Sequence, residues 1–200
     1  GDVYKRQKLY QAKAEAVRQV AAFADYSDYL RSLEMTAVFT DFQPMYIQRI
    51  AQLTNKSNQF NLTTKRCSEE DIRHMQESDE YICLCGRLKD KFGDNGIVSV
   101  VAGKIEDEVL SIQLWLMSCR VLKRGMEDAM MNKLVRLARQ HGIMTIRGYY
   151  YPTAKNGMVR DFYVNEGFTR IEETEKQKVD ELQVDCYTER EIYMQVEDRI

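Results

Sequence analysis

Three consecutive segments with the pattern of β-strands constrain the fold of this chain most. They read YICLCGRLKD, GIVSVVAGKI and EVLSIQLWLMS, and the short polar stretches FGDN and EDE separate them. Connections this short join neighbouring antiparallel strands, so the sequence predicts an antiparallel meander. Such a sheet buries its apolar side chains when helices cover its faces, and the segments on both sides of the meander supply helices.

A long amphipathic helix is predicted after Gly125, ending at His141 and Gly142. Its apolar positions recur every three or four residues: Met126, Ala129, Met130, Leu134, Leu137 and Ala138. A strand (IMTIRGYYY), a helix over residues 156–165 and a last strand (DCYTEREIYMQVE) are predicted to follow. This order indicates an α/β fold with a mixed, mostly antiparallel central sheet flanked by helices.

Two helices are predicted between a first strand, Met35–Phe39, and the meander. Pro44 suits the first turn of one, with Asp41 as its cap. Ser68 and Asp71 have the spacing of a capping box, which predicts the second helix over Glu69–Met75. The polar segment NKSNQFNLTTKR separates the two helices.

The segment before the first strand has the pattern of helices. Leu9, Ala12, Ala16, Val20 and Phe23 recur at helical spacing, and Asp25 and Ser27 are suited to cap a short helix over Asp28–Ser32. We predict a helical leader over residues 1–34 and one domain over residues 35–200. The leader is either a packed helix pair or a linker from a module upstream.

Charge and cysteine content limit the classes of function. The 29 basic and 31 acidic residues give a net charge of −2, which predicts no nucleic-acid or membrane partner. No apolar run approaches the roughly 18 residues of a membrane span, and no secretory signal is visible. The five cysteines are an odd number, so we predict reduced thiols in a cytoplasmic protein. Any site for a polyanion is then local.

The junction LWLMSCRVLKRGMEDAM is the first candidate for such a site. A strand ends there in a basic loop, and a helix opens at Gly125. Free N–H groups and the positive end of the helix dipole attract anions, and Arg120, Lys123 and Arg124 add charge. The loop either binds a phosphate or is a solvated basic corner.

The second junction is YYYPTAKNGMVRDFYVNEGF. Asn156, Val159 and Tyr163 fall on one face of the predicted helix, which ends at Gly167. A tyrosine in this position either donates a proton to a leaving group or packs in the core with its hydroxyl satisfied.

The two junctions in this order resemble the GCN5-related N-acetyltransferase (GNAT) superfamily. Its phosphate loop reads Q/R-x-x-G-x-G/A, and its later helix ends in Y-x-x-x-G-F. The resemblance implies a GNAT-like fold that binds an acyl-CoA, such as acetyl-CoA, or a carrier-bound phosphopantetheine thioester, and that moves the acyl group to a small-molecule amine or hydroxyl.

A closer resemblance, over nearly the whole chain, is to the C-terminal, GNAT-like half of FkbH-like proteins. It is carried by RIAQLTNKSNQFNLTTKR, FGDNGIVSVV, LWLMSCRVLKRGME and YYPTAKNGMVRDFYVNEGF. In that family an N-terminal phosphatase half of haloacid-dehalogenase type is associated with loading glyceryl units onto acyl carrier proteins. The resemblance implies an acyl carrier protein as partner and an upstream phosphatase domain, of which residues 1–34 are a remnant or linker.

The GNAT resemblance also implies roles for individual residues. The pantetheine arm would lie along the strand before the loop, with the thioester near Leu116 and Met117 and Tyr163 protonating the thiolate. The residues implied to bind the cofactor are Leu116, Met117, Arg120, Val121, Leu122, Lys123, Arg124, Gly125, Met126 and Asn156. The residues implied on the substrate side are Tyr149, Tyr151, Thr153 and Lys155.

Lys123 departs from the family pattern because it takes the first glycine position of the loop. Either the loop is distorted, or the lysine side chain points outward and contributes charge. Cys119 is either a small buried residue or a nucleophile that takes an acyl group, and no spacing of cysteines and histidines predicts a metal site. The alternative to an acyltransferase is a non-catalytic module that docks a carrier protein or its arm.

Overall fold

The structure, a computed structural model, describes residues 1–22 and 25–200, and the side chains of these except residues 16–22. The helices are α1 (Asp2–Ala22), α2 (Tyr26–Ser32), α3 (Ile47–Lys56), α4 (Glu69–Glu77), α5 (Met126–Gln140) and α6 (Phe162–Asn165). The strands are β1 (Thr36–Thr40), β2 (Tyr81–Asp90), β3 (Gly93–Glu106), β4 (Val109–Met117), β5 (Thr145–Tyr150), β6 (Thr169–Glu173), β7 (Lys178–Gln183) and β8 (Gln195–Asp198).

The strands form one sheet with the order β6-β7-β5-β4-β3-β2-β1-β8. The predicted meander is confirmed, since β2, β3 and β4 pair antiparallel in sequence. Strand β5 pairs parallel with β4, and the long helix α5 makes the crossover between them. The sheet is therefore mixed and mostly antiparallel, as the sequence predicts.

Helices cover both faces of this sheet, and each face has its own core. On one face α3 and α4 pack on side chains such as Val100 and Leu114. On the other face α2, α5 and α6 pack on side chains such as Val101 and Trp115. Neighbouring strand residues thus point to opposite cores, as the two-residue period of a strand requires.

Two of the three helix starts predicted before the meander have the predicted N-cap residue. Asp25 caps α2 by accepting from the N–H of Ser27 at 3.0 Å, and Ser68 and Asp71 form the capping box of α4. The predicted cap Asp41 is wrong, because a 3₁₀ turn over Pro44–Tyr46 precedes α3 and Asp41 lies before that turn.

The helical leader is present as α1 and α2. Leu9 and Ala12 lie in α1, but Phe23 and the side chains of Ala16 and Val20 lie outside the described residues. The part of the predicted apolar stripe that is described does not pack as a buried face, since the side chains of residues 1–15 are exposed or half-buried.

The C-terminal third departs most from the sequence-based prediction. The single helix predicted over residues 156–165 is two short pieces, a 3₁₀ turn at Gly157–Val159 and α6. The last strand predicted over DCYTEREIYMQVE is wrong over most of its length: residues 187–194 have no regular structure, and only Gln195–Asp198 pair, parallel to β1. The antiparallel pair β6 and β7, which the sequence analysis missed, completes the sheet beside β5.

Candidate functional site

Strands β4 and β5 form a V-shaped cleft. They pair only from Val109 with Thr145 to Ser111 with Arg147, and beyond these residues they separate. At the same point β4 bulges, because the pairing with β3 passes from Ile112 to Leu114 and leaves Gln113 unpaired. Backbone groups of β4 beyond Ser111 therefore face an opening in the sheet.

A segment of the chain itself, Phe60–Leu62, fills this opening. The N–H of Leu62 donates to the carbonyl of Trp115 at 3.0 Å, and the N–H of Met117 donates to the carbonyl of Phe60 at 3.0 Å. On the other side the N–H of Tyr151 donates to the carbonyl of Leu62 at 2.9 Å. We call Phe60–Leu62 the bridging segment, since it bonds to β4 and to the end of β5.

Apolar packing also holds the bridging segment. The side chains of Phe60 and Leu62 are buried in the same core as Trp115, and the Phe60 ring meets the Phe162 ring edge-on at 5.3 Å between centroids. The hydroxyl of Thr63 donates to the carbonyl of the bulged Gln113 at 2.9 Å. The alternation of Phe60 and Leu62 with polar neighbours was the one sequence signal for this short extended piece.

Asn156 fixes the bridging segment to the start of the next turn. Its Nδ2 donates to the carbonyls of Asn61, at 3.0 Å, and Tyr151, at 2.9 Å. Its Oδ1 accepts from the N–H of Thr153 at 2.8 Å and from the hydroxyl of Tyr150 at 3.2 Å. Both donors and both lone pairs of the amide are thus used within the chain. The role of Asn156 as a cofactor ligand stays a prediction, and in the structure the residue holds the cleft closed.

Because of the bridging segment, the predicted pantetheine position beside Leu116 and Met117 is taken by protein. Asn61 pairs with Leu116 as an isolated antiparallel bridge, and Met117 uses its N–H on Phe60. A pantetheine arm and the bridging segment cannot both use these groups. In this conformation the residues along β4 do not fit the arm.

The predicted phosphate loop opens α5 with two left-handed residues. Lys123 has φ of 63° and Gly125 has φ of 90°. A left-handed lysine costs roughly 1 kcal/mol relative to glycine. Its side chain is exposed, and its carbonyl accepts from the Tyr26 hydroxyl of α2. The loop keeps the glycine-like backbone while the lysine points outward, which is one of the two alternatives that the sequence left open.

Two N–H groups of this loop, those of Lys123 and Gly125, already bond to a carboxylate of the protein. The Glu127 carboxylate accepts from the N–H of Lys123 at 3.4 Å. Burial raises the pKa of Glu127, and backbone hydrogen bonds from Glu127, Lys123 and Gly125 oppose the rise. Arg124 is also paired, with Asp90 at 2.6 Å between Nη1 and Oδ2. Glu127 was not among the predicted site residues.

An open cavity of about 870 Å³ lies at the mouth of the cleft, where β4 ends. Its basic lining residues are Arg49 and Lys56 of α3, Arg120 after β4, and Lys155. Cys119 lines it too, and this exposed thiol lies 3.2 Å from the Gln59 Oε1 atom. The structure thus brings the predicted residues Arg120 and Lys155 together and adds Arg49 and Lys56.

A second cavity, of about 490 Å³, lies at the other end of the bridging segment. The predicted substrate-side residues Tyr149 and Tyr151 line it, with ring centroids 6.3 Å apart, together with Lys65 and Gln113. Tyr150 points to the opposite face and contacts Asn156, as strand alternation predicts. Thr153 does not line this cavity; its hydroxyl accepts from the N–H groups of Lys155 and Asn156.

Tyr163 is packed inside the protein. It is 1% exposed, its ring lies against the Cα of Gly148, and the rings of Trp115, Phe162 and Phe168 surround it. Its hydroxyl has no hydrogen-bond partner among the described residues. Burial and the nearby Asp180 carboxylate raise the pKa of Tyr163 well above its usual value. Its role as a proton donor stays a prediction, and here the ring is part of the core.

The described part of the chain contains neither a metal-binding cluster nor a membrane-spanning helix. No group of three or more His, Cys, Asp or Glu side chains there is arranged to hold a metal ion. Across residues 1–22 and 25–200, none of the helices combines the length and apolar character needed to cross a membrane.

Comparison with known proteins identifies the fold. No family model and no curated protein sequence matches the chain. Among solved structures, the ribosomal-protein-S18-alanine N-acetyltransferase from Escherichia coli is similar with a TM-score of 0.56 and 11% identity, over 74% of this chain and 94% of that one. The chain has the fold of the GNAT acetyltransferases.

Two further GNAT structures agree with this assignment. The GNAT domain of S. lividans PAT is similar with a TM-score of 0.55 and 15% identity, over 72% of this chain and 89% of that one. The PaiA N-acetyltransferase from Thermoplasma acidophilum, solved in complex with coenzyme A, is similar with a TM-score of 0.53 and 13% identity, over 74% of this chain and 98% of that one. At identities this low, structural similarity establishes the fold alone. The activity has to be argued from the residues of the site.

Proposed function

We propose that this chain is an acyltransferase-type GNAT domain that takes a phosphopantetheine thioester, of an acyl-CoA or of an acyl carrier protein, and transfers the acyl group to an amine or hydroxyl of a small molecule. The observation that carries the proposal is the cleft between β4 and β5, with a basic cavity at its mouth and a tyrosine-lined cavity beyond the bridging segment. One end suits the phosphate of a donor and the other suits an uncharged or polar acceptor.

In the proposed reaction the acceptor nitrogen or oxygen forms a bond to the acyl carbon while the carbon–sulfur bond breaks. The acceptor proton ends on the released thiol. We propose the loop Arg120–Met126 with Asn156 on the donor side, Tyr149 and Tyr151 on the acceptor side, and Tyr163 as proton donor. Lys155, predicted on the substrate side, lines the basic cavity at the donor end instead, and Thr153 lines neither cavity.

The proposal requires the bridging segment to move. Phe60–Leu62 uses the same β4 groups that an arm lying beside Leu116 and Met117 would need. A thioester arm can therefore lie along β4 only in a conformation in which the hydrogen bonds from Leu62 to Trp115 and from Met117 to Phe60 are broken.

The resemblance to FkbH-like proteins supports a further part of the proposal. It favours an acyl carrier protein as the source of the thioester and an upstream phosphatase domain as the neighbour of residues 1–34. The five cysteines have free thiols, which supports a reducing compartment such as the cytoplasm as the place of action.

Calorimetric titration tests the proposal with acetyl-CoA, a holo-carrier protein and its apo form as separate ligands. We expect saturable heat with acetyl-CoA or the holo-carrier and its loss in Gly125→Trp, because a bulky side chain blocks the loop. Gly142→Trp is the matched control, since Gly142 is also left-handed, with φ of 71°, but lies at the far end of α5. Absence of binding for all three ligands refutes the proposal.

Turnover separates the role of Tyr163 from binding. If Tyr163 protonates the thiolate, Tyr163→Phe lowers the rate of acyl transfer to an accepted acceptor and leaves thioester binding unchanged. An unchanged rate removes Tyr163 from the reaction.

The closed cleft supports a second candidate function, a non-catalytic module that docks a carrier protein or its arm. The bridging segment occupies backbone groups of β4, and the Glu127 carboxylate accepts from the Lys123 amide of the loop. In this conformation these groups are not free to hold a donor. Binding of the holo-carrier without binding of acetyl-CoA, and without transfer to any acceptor, identifies this second function.

A further inference from the structure

Four cations from three parts of the chain line the cavity at the mouth of the cleft. Arg49 and Lys56 lie seven residues apart on α3 and therefore share a helix face. Arg120 comes from the loop after β4, and Lys155 from the loop after β5. The other lining residues are Leu9, Leu53, Ser57, Asn58, Gln59, Phe60, Met117, Ser118 and Cys119, so none of the described residues contributes a carboxylate to the cavity.

Within the part of the chain that the structure describes, these cations have no partner of opposite charge. The ion pairs found between described residues involve none of the four. Among the described residues, the Arg120 guanidinium donates only to neutral oxygens, the Ser118 hydroxyl at 3.2 Å and the Asn95 carbonyl at 3.4 Å. Partial burial and the charge of Arg49 lower the pKa of Arg120. In a chain with net charge −2, a cluster of uncompensated cations is a local feature that an anion would stabilise.

The loop at the start of α5 is partly occupied by charges of its own. The N–H groups of Lys123 and Gly125 bond to the Glu127 carboxylate, and Arg124 is paired with Asp90. An incoming phosphate therefore meets side chains first. A guanidinium binds two phosphate oxygens at once, and lysines add point charges around them.

We propose that Arg49, Lys56, Arg120 and Lys155 bind one phosphate group in this cavity, beside the thiol of Cys119. The inference deepens the proposed function and rests on it for the identity of the ligand, which is either the phosphate of a pantetheine arm or that of a free phosphate ester. It differs from a pyrophosphate site on the loop, because the binding groups come from α3 and from the loop after β5.

The alkylation rate of Cys119 reports whether the cavity is filled. Cys119 and Cys186 are the exposed thiols, and Cys186 lies outside the cavity, so it serves as an internal control. The full chain is treated with iodoacetamide, alone or with inorganic phosphate, phosphopantetheine or pantetheine, and mass spectrometry measures the rate at each cysteine.

We expect phosphopantetheine to protect Cys119 and not Cys186. At a ligand concentration about ten times Kd, the Cys119 rate falls about tenfold, because only the free protein exposes the thiol. Pantetheine, which lacks the phosphate, gives no protection. Equal protection by inorganic phosphate assigns the site to a free phosphate or its esters, and protection by phosphopantetheine alone assigns it to the arm.

Charge reversal tests the cluster itself. Arg49→Glu is expected to abolish the protection, and Lys155→Glu, in an exposed loop, repeats the test without changing a helix. Arg73→Glu on the exposed face of α4 is the matched control and keeps full protection. Each variant is compared with itself with and without ligand, since the charge change also alters the basal reactivity of the thiol.

The inference is overturned if pantetheine protects Cys119 as well as phosphopantetheine does, or if Cys186 is protected too. It is also overturned if both charge reversals leave the protection intact, or if no probe protects Cys119. The outcome is separable from that of the proposed function. Protection without acyl transfer supports the phosphate site and refutes the transferase. Binding of acetyl-CoA with unchanged affinity in Arg49→Glu supports the transferase and refutes the phosphate site.

Discussion

Replacing Asn156 by alanine tests whether this one amide holds the bridging segment in the cleft. The side chain is fully buried and makes four hydrogen bonds of 2.8 to 3.2 Å. A neutral hydrogen bond contributes about 1 kcal/mol, so the loss of four predicts a destabilisation of about 3 to 4 kcal/mol. That is large for one substitution, because the buried carbonyl of Asn61 and the part-buried carbonyl of Tyr151 lose donors.

Urea unfolding followed by circular dichroism measures the change in the free energy of unfolding. Asn165→Ala is the matched control, since Asn165 is exposed on α6, and its effect is expected to stay within about 0.5 kcal/mol. Hydrogen exchange gives a local readout: in Asn156→Ala, the N–H groups of Leu62 and Met117 are expected to exchange faster than those of the β2–β3 pair. A destabilisation below about 1 kcal/mol, with the protection of Leu62 unchanged, would show that the segment is held without Asn156.

Three further predictions concern groups buried around the site. Burial and the adjacent Asp128 carboxyl raise the pKa of Glu166 above its ordinary 4.5, against the opposing charge of Arg190, whose Nε lies 2.9 Å from Glu166 Oε2. Above pH 4.5 the folded state therefore binds more protons than the unfolded state, and the free energy of unfolding falls as pH rises, by at most about 1.4 kcal/mol per pH unit. Glu166→Gln is expected to flatten this slope in urea titrations at pH 6 and pH 8.5, and an unchanged slope contradicts the shift. Gly148→Ala would place a Cβ 2.6 Å from the Tyr163 ring and is expected to cost about 2 kcal/mol, whereas Gly157→Ala, with nothing within 4 Å, stays near wild type in the same assay. Tyr163→Phe removes a buried hydroxyl that lacks a partner among the described residues, so it is expected to raise stability by about 1 kcal/mol, and a loss of that size would reveal a bond to the hydroxyl.

Patterns that repeat over many residues predicted most of the fold correctly. The meander and α5 have long runs of strand or helix period, and their ends have turn or cap residues, as at Gly125. The C-terminal third lacks such runs. Its helix is broken into short pieces, and β6, with the pattern TRIEE, is mostly exposed, so no hydrophobic period marks it. Pairing with β7 makes this strand, and such pairing depends on residues distant in sequence.

The candidate site was predicted in part for the same reason. The fold fixes the positions of residues near the ends of β4 and β5. Those that line the two cavities are Arg120, Tyr149, Tyr151 and Lys155. Arg49 and Lys56 were missed because charged residues on a helix face are ordinarily solvated, and only the three-dimensional fold brings α3 to the end of β4.

The bridging segment has only a short alternation of Phe60 and Leu62 with polar residues as its sequence signal, and its energetics decide between the two candidate functions. Opening the cleft breaks the bonds of Phe60 and Leu62 to β4 and uncovers two side chains that are 4% and 0% exposed. Burial of a side chain of this size is worth about 1.5 to 3 kcal/mol, and two hydrogen bonds add about 2. Opening therefore costs roughly 5 to 8 kcal/mol, which a thioester arm must recover by taking the same hydrogen bonds and apolar contacts. A ligand that binds only at the basic mouth recovers none of this cost and leaves the segment in place. Protection of the Leu62 N–H from hydrogen exchange with the holo-carrier bound thus separates the two: its loss indicates a transferase that opens, and its persistence a docking module.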